Sequence, residues 1–326
     1  MRIINVCFLL IFVFSSCTSS LSRSVNNKDI QLADPTIFYD KGTYYLYGTG
    51  STSFLNGFVV YTSPDLKRWS GPKGVQDGYA LKKGDAFGDA KFWAPQVFRY
   101  NSKYYMAYTA NEKIAIAEGE HPLGPFKQSV IKPIEGETRQ IDPYVFIDDD
   151  GRKYLYYVKV ADGGNRIYVV ELNGDLLTKK KETERKCVEA DNLWENTAKD
   201  SWSVTEGPTV IKHNSMYYLV YSANHFRSTD YAVGYAISSH PLGPWKKYAG
   251  NPIIHRSNTG YNGSGHGDLF QTANKDWKYV FHTHYSAEKV SPRKTGILGA
   301  RFVKDPKGGA DILQTDGKSF QFLHLK

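Results

Sequence analysis

Hydrophobic and polar positions alternate along this chain in a unit that recurs five times. In the fourth unit, the turn Thr205-Glu206-Gly207-Pro208 leads into the apolar residues 209–211. A short polar turn follows, and residues 216–221, Met-Tyr-Tyr-Leu-Val-Tyr, form a second apolar run. Short runs of β-branched and aromatic residues between turn residues predict β-strands. Each unit is therefore expected to open with two strands.

The residues that open the five units are almost evenly spaced. We take as anchors Asp34, Ala94, Asp142, Glu206 and His266, which are separated by 60, 48, 64 and 60 residues. A third apolar run follows in every unit, at residues 58–61, 114–117, 167–170, 232–236 and 297–302. Multi-stranded repeats of about 40 to 50 residues are typical of propeller blades, and slightly longer ones leave room for loops. The sequence thus predicts an all-β fold, a five-bladed β-propeller.

The turn after the third run is nearly identical in two units. His-Pro-Leu-Gly-Pro-Phe at residues 121–126 returns as His-Pro-Leu-Gly-Pro-Trp at residues 240–245, with a counterpart at residues 63–69. Proline and glycine end a strand, so the aromatic residue is predicted to begin an outer fourth strand. No stretch of a dozen residues has a capped helical period. Two long segments, 71–92 and 179–203, break the repeat, and long ordered loops are often functional.

Composition changes this picture little. The chain has 326 residues, 41% of them hydrophobic, and its 24 Tyr, 17 Phe and 6 Trp suit strands and sugar-binding surfaces. Its net charge of +8 comes from Lys and Arg residues scattered through turns, without a basic helix. We therefore expect no nucleic-acid partner. Residues 28–326 are predicted to form a single domain.

The N-terminus is predicted to be an export signal. Residues 1–17 combine a basic start, an apolar run at residues 3–14 that is short for a membrane span, and the small-residue ending Ser15-Ser16-Cys17. This ending resembles a bacterial lipobox, which would lipidate the cysteine and anchor the protein in the cell envelope, facing the periplasm or the surface. Phe14 is an unusual residue at the third position before the cysteine of a lipobox, so simple signal cleavage without lipidation is the alternative. Residues 18–27 are expected to be a flexible tether.

The anchors carry chemistry that would converge in a propeller. The first strand of each blade lines the axis and starts at one rim, so one funnel is predicted to contain Asp34, Asp142, Glu206, His266 and Trp93. Glycoside hydrolysis requires a carboxylic acid that protonates the leaving oxygen and a carboxylate that acts on the other face of the sugar. A third carboxylate can keep the acid protonated. Trp93, with Trp194 or Trp202, can stack on the sugar.

Each of these residues also has a structural explanation. Asp34 and Asp142 precede proline and Glu206 precedes Gly-Pro, which are common turn openers. His266 lies between glycines, where an ordinary core histidine is unusual. A functional role is favoured because one repeat position is predicted to carry all four residues.

Motifs at the five anchors resemble those of glycoside hydrolase family 43. In order, they are Ala33-Asp34-Pro35, Trp93-Ala94-Pro95, Ile141-Asp142-Pro143 with Asp148-Asp149-Asp150-Gly151, Thr205-Glu206-Gly207-Pro208 and Gly263-Ser264-Gly265-His266-Gly267. The resemblance implies a five-bladed β-propeller and an inverting mechanism. It assigns Asp34 as the general base that activates water and Glu206 as the general acid. Asp142 would raise the pKa of that acid and hold it in position. The catalytic carboxyls would lie about 6.5–9.5 Å apart.

The resemblance also implies groups around the carboxylates. One calcium ion would lie on the propeller axis near His266, with oxygens or waters completing its shell. Arg293 is the candidate for contact with the substrate or a catalytic carboxylate, and Arg301 is the alternative. His225 is a candidate for the pocket wall. A structural role is the competing interpretation for both Arg293 and His225.

The implied substrates are arabinose- or xylose-containing oligo- and polysaccharides. We expect an exo-acting α-L-arabinofuranosidase or β-xylosidase, because the segments 71–92 and 179–203 can close one side of the pocket. An endo-acting arabinanase or xylanase is the alternative. A hypothesis from another class is a non-catalytic propeller that binds glycans or proteins, but such a module would not need three carboxylates.

Overall fold

The computed structural model describes residues 28–51 and 54–326 of the chain. The predicted export signal, residues 1–17, and the predicted tether, residues 18–27, lie outside the described residues. Among the described residues, no helix has the length and apolar character needed to cross a membrane. In chain order, the strands are β1 (Lys28–Asp29), β2 (Leu32–Asp40), β3 (Thr43–Gly50), β4 (Gly57–Val59), β5 (Tyr61–Ser63), β6 (Tyr79–Lys82), β7 (Trp93–Tyr100), β8 (Lys103–Ala110), β9 (Lys113–Gly119), β10 (Arg139–Ile147), β11 (Lys153–Ala161), β12 (Gly164–Leu172), β13 (Arg185–Val188), β14 (Ser203–His213), β15 (Met216–Ala223), β16 (Ala232–Ser238), β17 (Lys246–Lys247), β18 (Gly265–Gln271), β19 (Trp277–Thr283), β20 (Lys294–Val303), β21 (Ile312–Phe322) and β22 (His324–Leu325).

These strands form the five blades of a β-propeller, which confirms the predicted fold. The blades are β2-β3-β5, β7-β8-β9, β10-β11-β12-β13, β14-β15-β16-β17 and β18-β19-β20-β21, each with antiparallel neighbours. A short parallel contact, Gly164↔Ser203 and Asn165↔Val204, joins the third and fourth blades. Strands β1 and β22 pair antiparallel, so the start of the described chain is held beside its C-terminus. In the part of the chain that the structure describes, helical residues are confined to α1 (Arg256–Thr259) and the 3₁₀ turns Lys181–Thr183 and Leu193–Glu195.

The first blade departs from the predicted repeat. The run at residues 58–61 is divided at Val60, so that β5 pairs with β3 while β4 pairs with β6. The long segment 71–92, expected to be a loop, therefore contains a strand. In the two blades that contain the His-Pro-Leu-Gly-Pro turn, the predicted outer fourth strand is short: it is β17 in the fourth blade and a single bridge, Glu118↔Lys127, in the second.

The apolar core lies between adjacent blades rather than within them. Each of five buried clusters joins one blade to the next, and the cluster between the fifth and first blades closes the ring. The repeated His-Pro-Leu-Gly-Pro turn takes part in this packing. The Tyr47 hydroxyl donates to the Pro122 carbonyl oxygen at 2.5 Å, and the Tyr156 hydroxyl donates to the equivalent Pro241 oxygen at 2.5 Å. The two turns have nearly the same sequence, and in each of them the first proline accepts a hydrogen bond from a tyrosine of the preceding blade.

Candidate active site

Every blade begins its first strand with a β-bulge. The register shifts lie between Ala33 and Thr36, Trp93 and Gln96, Ile141 and Tyr144, Glu206 and Thr209, and Gly265 and Gly267. Within the bulges, the backbone has positive φ at Asp34 (47°), Ala94 (45°), Asp142 (54°), Gly207 (62°) and His266 (42°). A bulge bends its strand and changes the direction of side chains. Non-glycine residues rarely adopt this conformation, and such residues cluster at functional sites.

The bulges correct the predicted alignment of Glu206. In the fourth blade the residue with positive φ is Gly207, so Glu206 lies one position earlier than Asp34 and Asp142 do in their blades. The counterparts of Glu206 are Ala33, Trp93, Ile141 and Gly265. The prediction that one repeat position carries all the anchor groups is therefore wrong for the glutamate. Glu206 occupies the strand position that Trp93 occupies in the second blade.

A pocket of about 390 Å³ nevertheless brings the predicted site residues together. Its wall includes Asp34, Trp93, Asp142, Glu206, His225, His266 and Arg293. Trp202 also lines this pocket. Trp194 does not, because its ring packs on Tyr221 with centroids 5.8 Å apart. None of the described residues 71–92 lines the pocket; Phe92, for example, packs between the first two blades. Only one of the two long segments therefore contributes to the wall.

Asp34 is held as a carboxylate. Its Oδ1 lies 3.1 Å from Arg293 Nη1 and 3.4 Å from His266 Nδ1, and its Oδ2 accepts from the Thr49 hydroxyl at 2.5 Å. Burial opposes ionisation, but the Arg293 charge and the Thr49 hydrogen bond contribute to holding the pKa of Asp34 well below its ordinary value. Asp34 is therefore ionised at neutral pH and can accept a proton.

Glu206 has the opposite character. Its Oε1 accepts from the Tyr231 hydroxyl at 2.8 Å, and its Oε2 accepts from Asn165 Nδ2 at 3.1 Å. Burial raises the pKa of Glu206 to about 7, with a further contribution from the Asp34 charge, although both hydrogen bonds act in the opposite direction. A carboxyl with this pKa retains its proton in a substantial fraction of molecules near neutral pH.

Asp142 is the third buried carboxyl. Its Oδ2 accepts a hydrogen bond of 3.2 Å from the backbone N–H of Gly207, the residue that follows Glu206 in the chain. Burial raises the pKa of Asp142 well above its ordinary value, and repulsion from Glu206 and Asp34 adds to this effect. Two buried carboxyls that repel each other do not both ionise readily, so Asp142 and Glu206 together hold a proton.

The structure distinguishes between the two predicted arginines. The Arg293 guanidinium contacts Asp34 and lies 4.7 Å from the centre of the Phe226 ring. Arg301 is exposed and reaches Gln314 on strand β21, outside the pocket. His225 lies in the pocket wall with its ring stacked on Phe226, 4.7 Å between centroids. Of the two predicted arginines, Arg293 is thus the one that contacts Asp34.

Several residues at the site were not assigned by the sequence. Asn165 and Tyr231 hold the two oxygens of Glu206, and Thr49 holds Asp34. His282 is fully buried, with its Nδ1 3.3 Å from Asp34 Oδ1. These residues come from second and third strands or the connections before them, where no motif marks them. Only His282 carried a signal that could have been followed, because it begins the run His282-Thr283-His284, in which two histidines lie close together.

The predicted calcium ion lacks a protein cage. Among residues 28–51 and 54–326, no group of three or more His, Cys, Asp or Glu side chains is placed to hold a metal ion. His266 faces a cavity of about 20 Å³ on the axis, which Asp34, Asp142 and Asp268 also line. Calcium prefers six to eight oxygens, so a calcium ion beside His266 would need waters for most of its ligands. The ion stays a prediction.

Comparison with known proteins decides the family. A sequence model described as Glycosyl hydrolases family 43 matches residues 28–305. The chain belongs to this family. The family 43 chain is 26% identical over 272 residues to Beta-D-galactofuranosidase xynD from Aspergillus niger, covering 78% of this chain and 74% of that protein. It is 21% identical to the Extracellular exo-alpha-(1->5)-L-arabinofuranosidase ArbA of Cellvibrio japonicus, covering 94% and 93%.

A solved structure is similar over almost the whole family 43 chain. It is the crystal structure of an endo-1,4-beta-xylanase from Bacteroides thetaiotaomicron, with a TM-score of 0.83 and 39% identity, covering 93% of this chain and all of that one. With this membership the chain is an O-glycosyl hydrolase, which settles the choice between an enzyme and a binding module in favour of the enzyme. The names of these relatives differ in sugar and in mode of action.

Proposed function

We propose that this glycosidase is an inverting, exo-acting α-L-arabinofuranosidase or β-xylosidase that acts on plant cell-wall polysaccharides. The proposal rests on one observation: two buried carboxyls in one pocket have pKa values displaced in opposite directions. Asp34 is driven toward the ionised form, and the pKa of Glu206 is raised to about 7. Pairs of titratable groups separated in this way are typical of an acid and a base in one reaction.

In the proposed reaction, Asp34 is the general base and Glu206 the general acid. Asp34 takes a proton from a water molecule as its oxygen attacks the anomeric carbon from the face opposite the leaving group. Glu206 gives its proton to the glycosidic oxygen as the bond from that oxygen to the anomeric carbon breaks. Exchange with solvent then moves the proton from Asp34 and returns one to Glu206. Asp142 modulates Glu206 because these two buried carboxyls do not both ionise readily and share a proton, and Asp142 Oδ2 accepts from the backbone N–H of Gly207 beside the glutamate.

We propose that the apolar and basic parts of the pocket hold the sugar. Trp93 and Trp202 offer indole surfaces for its apolar face, and His225 offers a ring nitrogen. Arg293 is placed to contact both Asp34 and the substrate. If calcium binds beside His266, it supplies positive charge on the axis. The proton transfers of the proposed reaction are made by Asp34 and Glu206.

Endo action is the second candidate. The relative named as an exo-arabinofuranosidase has nearly the same length as this chain, which supports exo action. The structure named as an endo-xylanase has the higher identity, and the segment 71–92 does not close the pocket. The substrate in either case is an arabinose- or xylose-containing polysaccharide. The predicted export signal and lipid anchor support a place in the cell envelope, near such polymers.

A substrate screen tests the proposal. The enzyme is incubated with nitrophenyl α-L-arabinofuranoside and β-D-xyloside, and with arabinan, xylan and arabinoxylan, and products are separated by size. Monosaccharide as the first product from a polymer supports exo action, and mixed oligosaccharides support endo action. Absence of arabinose or xylose release from every substrate would contradict the proposal.

A further inference from the structure

A backbone contact repeats at the junctions between blades. The N–H of the residue inside a bulge donates to a hydroxyl on the second strand of the preceding blade. Ala94 N–H donates to Thr49 Oγ1 at 2.9 Å, Asp142 N–H to Thr109 Oγ1 at 2.9 Å, and His266 N–H to Ser222 Oγ at 2.7 Å. The acceptors share one ladder position, opposite Ala33, Trp93 and Glu206. We call this contact the inter-blade clasp.

The clasp is absent from the junction between the third and fourth blades. The acceptor position there holds Val158, opposite Ile141, which has no hydroxyl. The Gly207 N–H donates instead to Asp142 Oδ2 at 3.2 Å. A buried backbone N–H needs a partner, and a catalytic-site carboxylate supplies it at this junction.

A histidine makes the clasp that closes the ring. His282 occupies the same ladder position in the fifth blade, opposite Gly265. Its Nδ1 accepts from the Asp34 backbone N–H at 3.1 Å, which joins the last blade to the first. The clasp therefore holds the residue whose φ of 47° is uncommon outside glycine. Such a conformation persists when its surroundings hold it.

The rest of the His282 ring faces the other groups of the site. Its Nε2 lies 3.2 Å from Arg293 Nη1, and its ring stacks on Tyr231 with centroids 5.7 Å apart and planes 17° apart. Burial holds the pKa of His282 well below its ordinary value, with a further contribution from the Arg293 charge, so the ring is neutral. With Nδ1 as acceptor, the neutral ring carries its hydrogen on Nε2. Nε2–H and Arg293 Nη1–H are then both donors and form no hydrogen bond, so the ring restricts Arg293 by packing alone while the guanidinium N–H donates to Asp34 Oδ1.

We propose that His282 is a positioning residue for the general base. Its Nδ1 accepts from the backbone N–H of Asp34, and the bulk of its ring limits the space in which Arg293 can move away from the Asp34 carboxylate. A threonine at this position could supply the first contact alone. The proposal rests on the proposed role of Asp34. It explains why the acceptor is an imidazole only at the junction that carries the base.

Two substitutions that the chain itself uses at this position test the proposal. His282→Thr installs the hydroxyl found in the first two blades, and His282→Val installs the side chain of the third. Threonine and valine have nearly the same shape, so the space left by the ring is the same and only the acceptor differs. His213→Thr is the control, because His213 lies at the end of strand β14, stacks on Phe302 of the fifth blade and does not line the pocket.

The measurements are kcat and KM on an aryl glycoside and the unfolding temperature of each variant. We expect His282→Val to lose about 100-fold in kcat with little change in KM, since a base misplaced by about 1 Å has such an effect. His282→Thr should recover about 10-fold of that loss and unfold about 2 °C or more above His282→Val. The control should keep the wild-type kcat.

Two results would overturn the proposal. One is equal kcat for His282→Thr and His282→Val; the other is wild-type kcat in both, with only the unfolding temperature lowered, which would make His282 structural. Failure of the proposed function is recognised separately, by an active Asp34→Asn enzyme. In that case the difference in unfolding temperature between the two His282 variants still decides whether the clasp exists.

Discussion

Replacing Glu206 with glutamine should remove activity and yet stabilise the protein above neutral pH. Burial and the Asp34 charge raise the pKa of Glu206 from its ordinary 4.5 to about 7. The folded state therefore binds this proton more tightly than the unfolded chain does. Wild-type stability from this group is present at low pH and is lost as the pH rises from about 4.5 to about 7. One pKa unit corresponds to about 1.4 kcal/mol, so ionisation costs the fold about 3 kcal/mol above pH 7.

The hydrogen bonds of Glu206 reduce this gain. The amide oxygen of glutamine can still accept from Tyr231, but its NH₂ group would face Asn165 Nδ2, another donor. Asn165 cannot simply turn over, because its Oδ1 accepts from Trp202 Nε1 at 3.1 Å. Loss of this hydrogen bond costs about 1 kcal/mol. The net effect of Glu206→Gln is a gain of about 2 kcal/mol at pH 8 and no gain at pH 5.

Urea unfolding at pH 5 and pH 8 measures the stability term, and turnover of an unactivated arabino- or xylo-oligosaccharide, which has a poor leaving group, measures the activity. A general acid contributes about 10²–10⁴-fold, so the variant should lose at least 100-fold in kcat on substrates with poor leaving groups. Glu120→Gln is the control, because Glu120 is exposed and distant from the pocket. Unchanged turnover, or the same stability difference from wild type at both pH values, would refute the reasoning.

Three further predictions concern pH and charge in the pocket. The alkaline limb of kcat/KM should fall near pH 7, because Glu206 must be protonated, and a limb above pH 9 would contradict this. Tyr231→Phe removes a hydrogen bond that lowers the pKa of Glu206, so the alkaline limb should move to higher pH; a shift downward would be inconsistent with the contact. Arg293→Met removes a charge that lowers the pKa of Asp34, so kcat should fall and the acidic limb should move to higher pH, as a pH–rate profile would report. An unmoved acidic limb would argue against Asp34 as the base.

Local patterns in the sequence contain the fold and most of the site. The five units predict the blades because their strands are short and bounded by Gly, Pro and Asp turns. The prolines also indicate the correct alignment of the five first strands, which the anchor residues alone do not. Pro35, Pro95, Pro143 and Pro208 each follow the residue with positive φ, so aligning them places Gly207, not Glu206, beside Asp34. The carboxylate was a weaker guide to register than the proline, because proline is tied to backbone conformation.

The remaining site residues depend on contacts between strands and between blades. Asn165 reaches Glu206 and His282 reaches Asp34 from the preceding blade, whereas Tyr231 reaches Glu206 from a connection of the same blade, and these spacings have no period. The segment 71–92 was misjudged for a related reason. Its strand β6 forms only because β4 leaves the first blade to pair with it. Such pairings depend on the assembled ring and cannot be derived from local hydrophobic patterns.

The central claim is that Asp34 activates water while Glu206 protonates the leaving group. Following the first product of hydrolysis by proton NMR, before mutarotation, tests it most directly. With the aryl glycoside that the enzyme turns over best, we predict that the sugar appears first with the anomeric configuration opposite to that of the substrate. Initial appearance of the same configuration would mean retention through a covalent intermediate, and would contradict the assignment of Asp34 as a general base.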